Sequence, residues 1–404
     1  MEITRRQALV SVSAAAALYA LPLQAEPQAV HPTTDVSKNE GSADPVCLTD
    51  FEPLAKSKMA TMGWEYMSAG AADELTLKWN IESYRRIRLN PRVLVDVSHL
   101  DTRVTLFGQE HAFPILLAPA ASQKLAHPDG ELATARGASA AGITMVLSSF
   151  SNTSLEDVFA AAKTPLWFQL YTHRDREFTR ELVQRAENAG YRALCLTVDF
   201  PISGARNREA RAHVKLPPLP NLKGLKESKG TGLLPTGLDI YSPVLDPTLT
   251  WKTIEWIRSF TKLPVLVKGV LNPDDAELAV KAGVSGIIVS NHGGRNLDTV
   301  PATIDALPFV AEKVAGRVPI LVDGGIRRGT DVLKAVALGA NAVLIGRPYV
   351  WGLGAEGETG VTKVVNILRR EFEMAMALTG RTNIASIDRS VIWTQANRFS
   401  SPTT

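Results

Sequence analysis

The sequence predicts an α/β fold, a closed (β/α)8 TIM barrel with an N-terminal helical segment. Three observations lead there. Eight short apolar runs recur between Ile115 and Arg347. Amphipathic stretches alternate with them, the pattern of a parallel sheet wrapped by helices. Eight such units in about 230 residues is the arithmetic of a barrel. An open doubly wound sheet is the alternative. That fold normally carries a glycine fingerprint after its first strand, and none stands here.

The elements follow in order. Arg5-Arg6 precedes an uncharged run from Val10 to Leu23, with small residues near Ala25. A positive start, a short apolar stretch and small residues describe an export signal over residues 1–25, resembling the twin-arginine type. An ordinary secretory signal is the alternative, and the run is too short for a good membrane anchor. Residues 26–45 are polar and read as a linker, so the barrel domain is expected over 46–404. Leu54, Met59, Met62, Tyr66 and Met67 fall at roughly helical spacing, predicting one or two helices. The expected strands are 115–120, 144–149, 166–171, 193–199, 265–269, 286–291, 319–325 and 342–347. Helices are expected at 131–141, 174–189, 273–282 and 330–338, several closing on Ala-Gly or Leu-Gly. Residues 200–250 form a long Pro-, Gly- and Lys-rich loop, the kind that makes lids or contact surfaces.

Composition narrows the function classes. The chain has 404 residues, 45% of them hydrophobic, and a formal net charge of +3. Nothing in that balance points to a nucleic acid partner. Two cysteines exclude a disulfide framework and a cysteine-rich metal site. Cys195 falls on an expected strand and reads as an inert core thiol, while Cys47 falls in the N-terminal linker.

In a barrel, chemistry sits at the C-terminal ends of the strands. Here those ends carry Ala120 and Ala121, Ser148, Gln169 with Tyr171, Thr197 with Asp199, Lys268, His292 with Arg295, Asp323 with Arg327, and Gly346 with Arg347. The stretch from Ser290 to Asp298 is the most informative. His292 takes a proton near neutral pH, and Arg295 offers a planar fork that matches a carboxylate. The pair suits removal of a proton from a substrate anchored by its carboxylate. A structural histidine beside a surface arginine is the plain alternative. Asp323 to Gly329 and Gly346-Arg347 follow the last two strands, where barrels commonly hold a phosphate. That phosphate belongs either to a substrate or to a cofactor. Lys268 suits the N1/O2 edge of a flavin or, alternatively, a Schiff base. Ser148, Gln169 and Thr197 suit a flavin's amide-like edge.

These segments, with Tyr66 to Asp73, Asn90-Pro91-Arg92, Ala126 to Glu131 and Gly204-Ala205-Arg206, resemble the FMN-dependent α-hydroxy-acid oxidase/dehydrogenase family, which includes glycolate oxidase and lactate oxidase. The resemblance runs from about Leu48 to Arg389. It implies that His292 is the base and that Asp199 orients it. It implies that Arg206 and Arg295 grip the substrate carboxylate, that Tyr66 bonds it, and that Tyr171 bonds the hydroxyl. It places FMN on Ala120, Ala121, Ser148, Gln169, Thr197 and Lys268, the ribityl chain on Asp323, and the phosphate on Gly325, Arg327, Gly346 and Arg347. Three positions depart from the family pattern: Ala120 replaces a usual Thr, Met67 an aromatic, and Phe150 the Trp of glycolate oxidase. Ala121 matches the Ala of oxidases rather than the Gly of lactate monooxygenase. No haem domain is expected ahead of the barrel.

The expectation is therefore an exported, periplasmic FMN enzyme that oxidises a small (S)-2-hydroxy acid, lactate- or glycolate-like, to the 2-oxo acid. Its electrons pass to O2, giving H2O2, or alternatively to a quinone or cytochrome. The resemblance implies a homo-oligomer, a tetramer. The rivals are a phosphate-binding aldolase or isomerase without flavin, and a flavin carrier with a dead site.

Overall fold

The computed structural model describes residues 44–226, 240–242 and 244–394. The expected signal and nearly all of the linker lie outside them. The described residues from Pro45 to Thr394 form one compact unit.

Three helices lead in: α1 (Phe51–Lys58), α2 (Thr61–Ser68) and α3 (Leu75–Arg86). The third follows Gly70 and was not expected. A hairpin that the apolar pattern also did not announce comes next, β1 (Val104–Leu106) and β2 (Gln109–His111). The barrel strands are β3 (Ile115–Leu117), β4 (Met145–Ser148), β5 (Leu166–Leu170), β6 (Leu194–Thr197), β7 (Val265–Val270), β8 (Gly286–Val289), β9 (Ile320–Asp323) and β10 (Ala342–Ile345). They pair in parallel and in sequence order, and β10 closes onto β3. Each of the eight expected runs coincides with one of these strands, β7 running one residue past its run. Most strands end short of the expected bounds, because the backbone leaves the ladder where it turns to form the site.

The helices around the barrel are α4 (Gly130–Ala140), α5 (Leu155–Ala161), α6 (Arg176–Ala189), α7 (Asn207–Arg211), α8 (Trp251–Arg258), α9 (Pro273–Lys281), α10 (Thr303–Val314), α11 (Gly329–Ala337) and α12 (Arg347–Leu378). The last carries a kink at Glu356 and Gly357. The four helices expected from amphipathic spacing are α4, α6, α9 and α11. The long 200–250 loop is not wholly irregular, since α7 and a 3-10 turn at Pro220–Leu222 stand in it. Cys47 is not in a linker either: it caps the 3-10 turn Leu48–Asp50, because Leu48 and Phe51 are fully buried and pull this stretch into the core.

The alternation of a strand decides what the barrel holds. One layer of the interior takes one side chain from each strand: Leu116, Val146, Trp167, Cys195, Leu266, Ile288, Leu321 and Leu344. Leu106 and Phe107 of the hairpin close the floor beneath them, Phe107 edge-on to Trp167 at 5.4 Å. Burial pushes the Cys195 thiol up to about 12, so it stays protonated and inert. Successive residues face opposite sides of a strand, so the next inward residue lies two positions on. That step gives Ala118, Ser148, Gln169, Thr197, Lys268, Ser290, Asp323 and Gly346. The interior thus changes from apolar to largely polar within one layer, and the polar layer is the floor of the mouth.

Candidate active site

Above that layer opens a cavity of about 700 Å³. Sixteen of the seventeen site residues expected from the sequence line it: Tyr66, Ala120, Ala121, Ser148, Gln169, Tyr171, Thr197, Arg206, Lys268, His292, Arg295, Asp323, Gly325, Arg327, Gly346 and Arg347. The remaining one, Asp199, stands behind His292.

The base assembly is short and directional. Asp199 Oδ1 lies 2.9 Å from His292 Nδ1, and Tyr171 Oη lies 3.3 Å from Nε2. A carboxylate on Nδ1 keeps the proton there and leaves the Nε2 lone pair facing the cavity. The backbone of His292 is left-handed, φ +58°, and its N–H donates to Ser290 Oγ at 3.1 Å. This unusual conformation turns the ring back over the barrel mouth. Phe200 stacks on the ring at 5.4 Å. Burial holds the imidazole below its ordinary range, with Lys268 and Arg206 adding to that effect and Asp199 opposing it. It is therefore neutral, and able to accept a proton, at neutral pH. Burial alone would push Asp199 up, yet His292 and Lys268 hold it below the usual carboxylate range. Gly269 makes room for this pair. Its φ is +114°, it sits at a bulge in β7, and a Cβ there would stand 2.5 Å from Asp199.

Lys268 is buried, 3.1 Å from Asp323 Oδ2, and it donates to Ser290 Oγ at 2.9 Å. Burial would favour the neutral amine, but Asp323 and Asp199 outweigh it and raise the pKa, so the ammonium persists. Beside it runs a chain of neutral groups: Ser148 Oγ donates to Gln169 Oε1 at 3.1 Å, and Gln169 Nε2 to Thr197 Oγ1 at 2.9 Å.

On the far side, Arg327 and Arg347 line the wall after β9 and β10. Neither forms an ion pair among the described residues. Burial lowers Arg327 to about 10 and Arg347 to about 9, the latter also through Arg295 and Arg327. Buried cations without acid partners are costly unless a ligand supplies the anion. Arg347 donates to the carbonyls of Ser68, Ala69 and Gly293, and Arg327 to that of Ile326. Gly325 has a packing reason as well, since a Cβ there would overlap the Asn80 carbonyl. Asp323 Oδ1, on a residue that lines the cavity, is buried with no partner among the described residues. A planar, amide-edged molecule with a phosphate tail matches this set: an ammonium, neutral donors and acceptors, an orphaned carboxylate oxygen and two guanidiniums without an acid partner.

The family model of FMN-dependent dehydrogenases matches residues 55–394. The chain belongs to this family. Its cofactor is FMN, and the donor set above fits it. Glycolate oxidase 1 of Oryza sativa subsp. indica is 49% identical over 359 residues, covering 88% of this chain and 97% of the relative. A 2-hydroxyacid oxidase of Dictyostelium discoideum is 49% identical over 352 residues, 87% of this chain and 90% of the relative. A crystal structure of mandelate oxidase with 3,3-difluoro-2-hydroxy-3-phenylpropionic acid superposes with a TM-score of 0.77 at 39% identity, covering 85% of this chain and 98% of that one.

For an FMN-dependent dehydrogenase, Arg347→Ala removes one charge-assisted contact, worth about 1.5–3 kcal/mol. FMN should dissociate roughly ten- to a hundred-fold more readily, and excess FMN should restore activity. Fluorescence titration of the apoprotein checks this. Activity lost with flavin affinity unchanged would move Arg347 out of the phosphate site, toward the Gly293 loop whose carbonyl it holds.

Sequence reasoning missed Glu209. Its carboxylate lies between the two arginines assigned to the substrate, 2.9 Å from Arg295 Nη2 and 3.4 Å from Arg206 Nη1. The sequence signal was present as an i, i+3 pair, Arg206 to Glu209, within a stretch read as an irregular loop. Ser290 was also missed as a joint, although it holds Lys268 and the His292 backbone together.

Proposed function

We propose that this chain oxidises an (S)-2-hydroxy acid to the 2-oxo acid and passes the electrons to molecular oxygen. The observation that carries the reading is one cavity shared by a neutral His292 Nε2, the Tyr171 hydroxyl and two guanidiniums, those of Arg206 and Arg295. FMN, when bound, supplies the acceptor for the two electrons and the hydrogen that the substrate loses.

The residues divide the remaining work. Arg206 and Arg295 bind the carboxylate, and Tyr66, whose ring lies beneath the Arg295 guanidinium at 5.3 Å, offers its hydroxyl to the same group. Tyr171 orients the substrate hydroxyl. His292 takes a proton at Nε2, and Asp199 stabilises the imidazolium that results. Ser148, Gln169 and Thr197 would hold the amide edge of the flavin, with Lys268 at N1/O2, Ala120 and Ala121 beside the ring, and Asp323 on the ribityl chain. Gly325, Arg327, Gly346 and Arg347 would take the phosphate. The ion pair of Lys268 with Asp323 argues against a Schiff-base aldolase, which needs the free amine. A dead flavin carrier would have no use for a carboxylate clamp. The oxidase names of the relatives support oxygen over a quinone or cytochrome.

The test is anaerobic bleaching of the bound flavin by glycolate, (S)-lactate, (S)-mandelate and longer 2-hydroxy acids, followed by mixing with oxygen, a quinone or a cytochrome. Bleaching by at least one acid and rapid reoxidation by oxygen are expected. A flavin that none of them bleaches would sink the reading. The proposal includes a homotetramer, readable by light scattering, and export to the periplasm. Export rests on Arg5-Arg6 and the apolar run behind them. Cell fractionation with R5K/R6K checks it. Among the described residues, no helix is long and apolar enough to cross a membrane.

A further inference from the structure

Two cations that face one substrate carboxylate repel each other, and the chain places an acid of its own between them. Arg206 comes from the loop after β6 and Arg295 from the loop after β8. The two loops touch closely: a Cβ on Gly204 would overlap the Asn296 carbonyl, and Arg206 Nε donates to the Arg295 carbonyl at 3.3 Å. Glu209, on α7, crosses this seam. One carboxylate oxygen takes Arg295 Nη2 at 2.9 Å and the other takes Arg206 Nη1 at 3.4 Å. The three side chains are only 12–15% exposed and all line the cavity.

Helix α7 is anchored. Ala72 N donates to the Ala205 carbonyl at 2.7 Å, Asn207 to the Ala72 carbonyl at 3.3 Å, and Arg208 pairs with Glu65 and Glu74. Glu209 is therefore held in place from outside the site. It does not use up the arginines. A guanidinium carries five N–H donors. Arg295 spends two on the carbonyls of Tyr66 and Ala69 and one on Glu209, so two have no partner among the described residues. Arg206 spends one on the Arg295 carbonyl and one on Glu209, leaving three.

We infer that Glu209 is a positioning and specificity-determining residue that sets the charge of the carboxylate clamp. Two arginines and one glutamate sum to +1, which matches a substrate with a single carboxylate. Without Glu209 the clamp would be +2 and would favour a dianion. The fixed carboxylate also screens Arg206 from Arg295, so that both guanidiniums keep their remaining donors toward the cavity. This inference rests on the hydroxy-acid reading above.

The test compares two ligands by perturbation of the bound flavin's spectrum: pyruvate, a monoanionic 2-oxo acid, and oxalate, a dianion. In E209Q the ratio of oxalate to pyruvate affinity should rise roughly ten-fold, because one unit charge is removed a few ångströms from the ligand in a poorly solvated site. E209D keeps the charge and should hold the ratio within about two-fold of wild type. A ratio unchanged in E209Q, with both affinities moved together, would make Glu209 a packing residue or a simple competitor for the arginines and would overturn the inference. A ratio shifted as far in E209D as in E209Q would do the same, since length and not charge would then matter. If E209Q does not fold, E209S, which removes the same charge, is read instead, and failure of both to fold overturns the inference. If neither ligand perturbs the wild-type flavin, the hydroxy-acid reading itself falls, and this inference with it.

Discussion

His292→Asn should keep the fold and the flavin but slow anaerobic flavin reduction by roughly 10²–10⁴-fold, the usual worth of a positioned general base. Asn is the right replacement because the native backbone at this position is left-handed, φ +58°, a conformation that Asn tolerates better than most residues. Its amide does not ionise, so only the proton-accepting function is removed. The pH dependence gives a second check. Burial holds His292 below its ordinary 6.5, and only the neutral ring accepts a proton. Activity should therefore hold at neutral pH and fall as the pH drops through a value below 6.5. His292→Asn should lack that limb. Asp199→Asn removes a group that raises the His292 pKa, so it should move the limb lower still and reduce the rate by releasing the Nδ1 proton from its fixed position. Stopped-flow reduction of the variant at the wild-type rate would remove His292 from the base role.

What the sequence made legible follows from periodicity and from strand ends. The eight apolar runs are buried on both faces in the barrel, so they read as continuous hydrophobic stretches and were easy to place. The residues at their ends read as chemistry because a barrel puts its site there. The hairpin β1–β2 was not legible: each strand has three residues, and only Leu106 and His111 are buried. Three residues are too few for a period to show. Helix α3 was missed because its buried face is largely polar, with the side chains of Thr76, Asn80 and Ser83 bonded to the Val300 carbonyl, Asn291 and Asp305 rather than packed in an apolar core. Glu209 was missed for a related reason. Its partner Arg295 lies 86 positions away, and nothing local distinguishes a glutamate that crosses a seam from one that faces solvent. Pairings between loops depend on the closure of the barrel, which no single segment encodes.

Arg295 should prove the costlier of the two clamp residues to lose. It is held by the carbonyls of Tyr66 and Ala69 and by Glu209, so its position is fixed from three directions before substrate arrives. Fixed groups contribute to orientation as well as to binding. Arg295→Met should cost about 2–5 kcal/mol, roughly 30- to 5000-fold in kcat/KM, because it leaves a desolvated carboxylate with half its clamp. The loss should fall on kcat as well as on KM. Arg206 has fewer anchors, a carbonyl at 3.3 Å and Glu209 at 3.4 Å, and Arg206→Met should chiefly raise KM, as loss of uniform binding does. Lysine should rescue neither, since a point charge cannot reproduce a bidentate fork. The decisive comparison uses a 2-hydroxy acid and its neutral amide. The wild type should strongly prefer the acid, and each variant should surrender much of that preference. Glu209 sharpens the expectation: with Arg295 removed, the clamp carries one arginine and one glutamate, so its net charge falls from +1 to zero. The amide should then bind about as well as the acid. If the acid preference survives in both variants, the carboxylate is held elsewhere in the cavity, where Arg327 and Arg347 are the other guanidiniums in the lining.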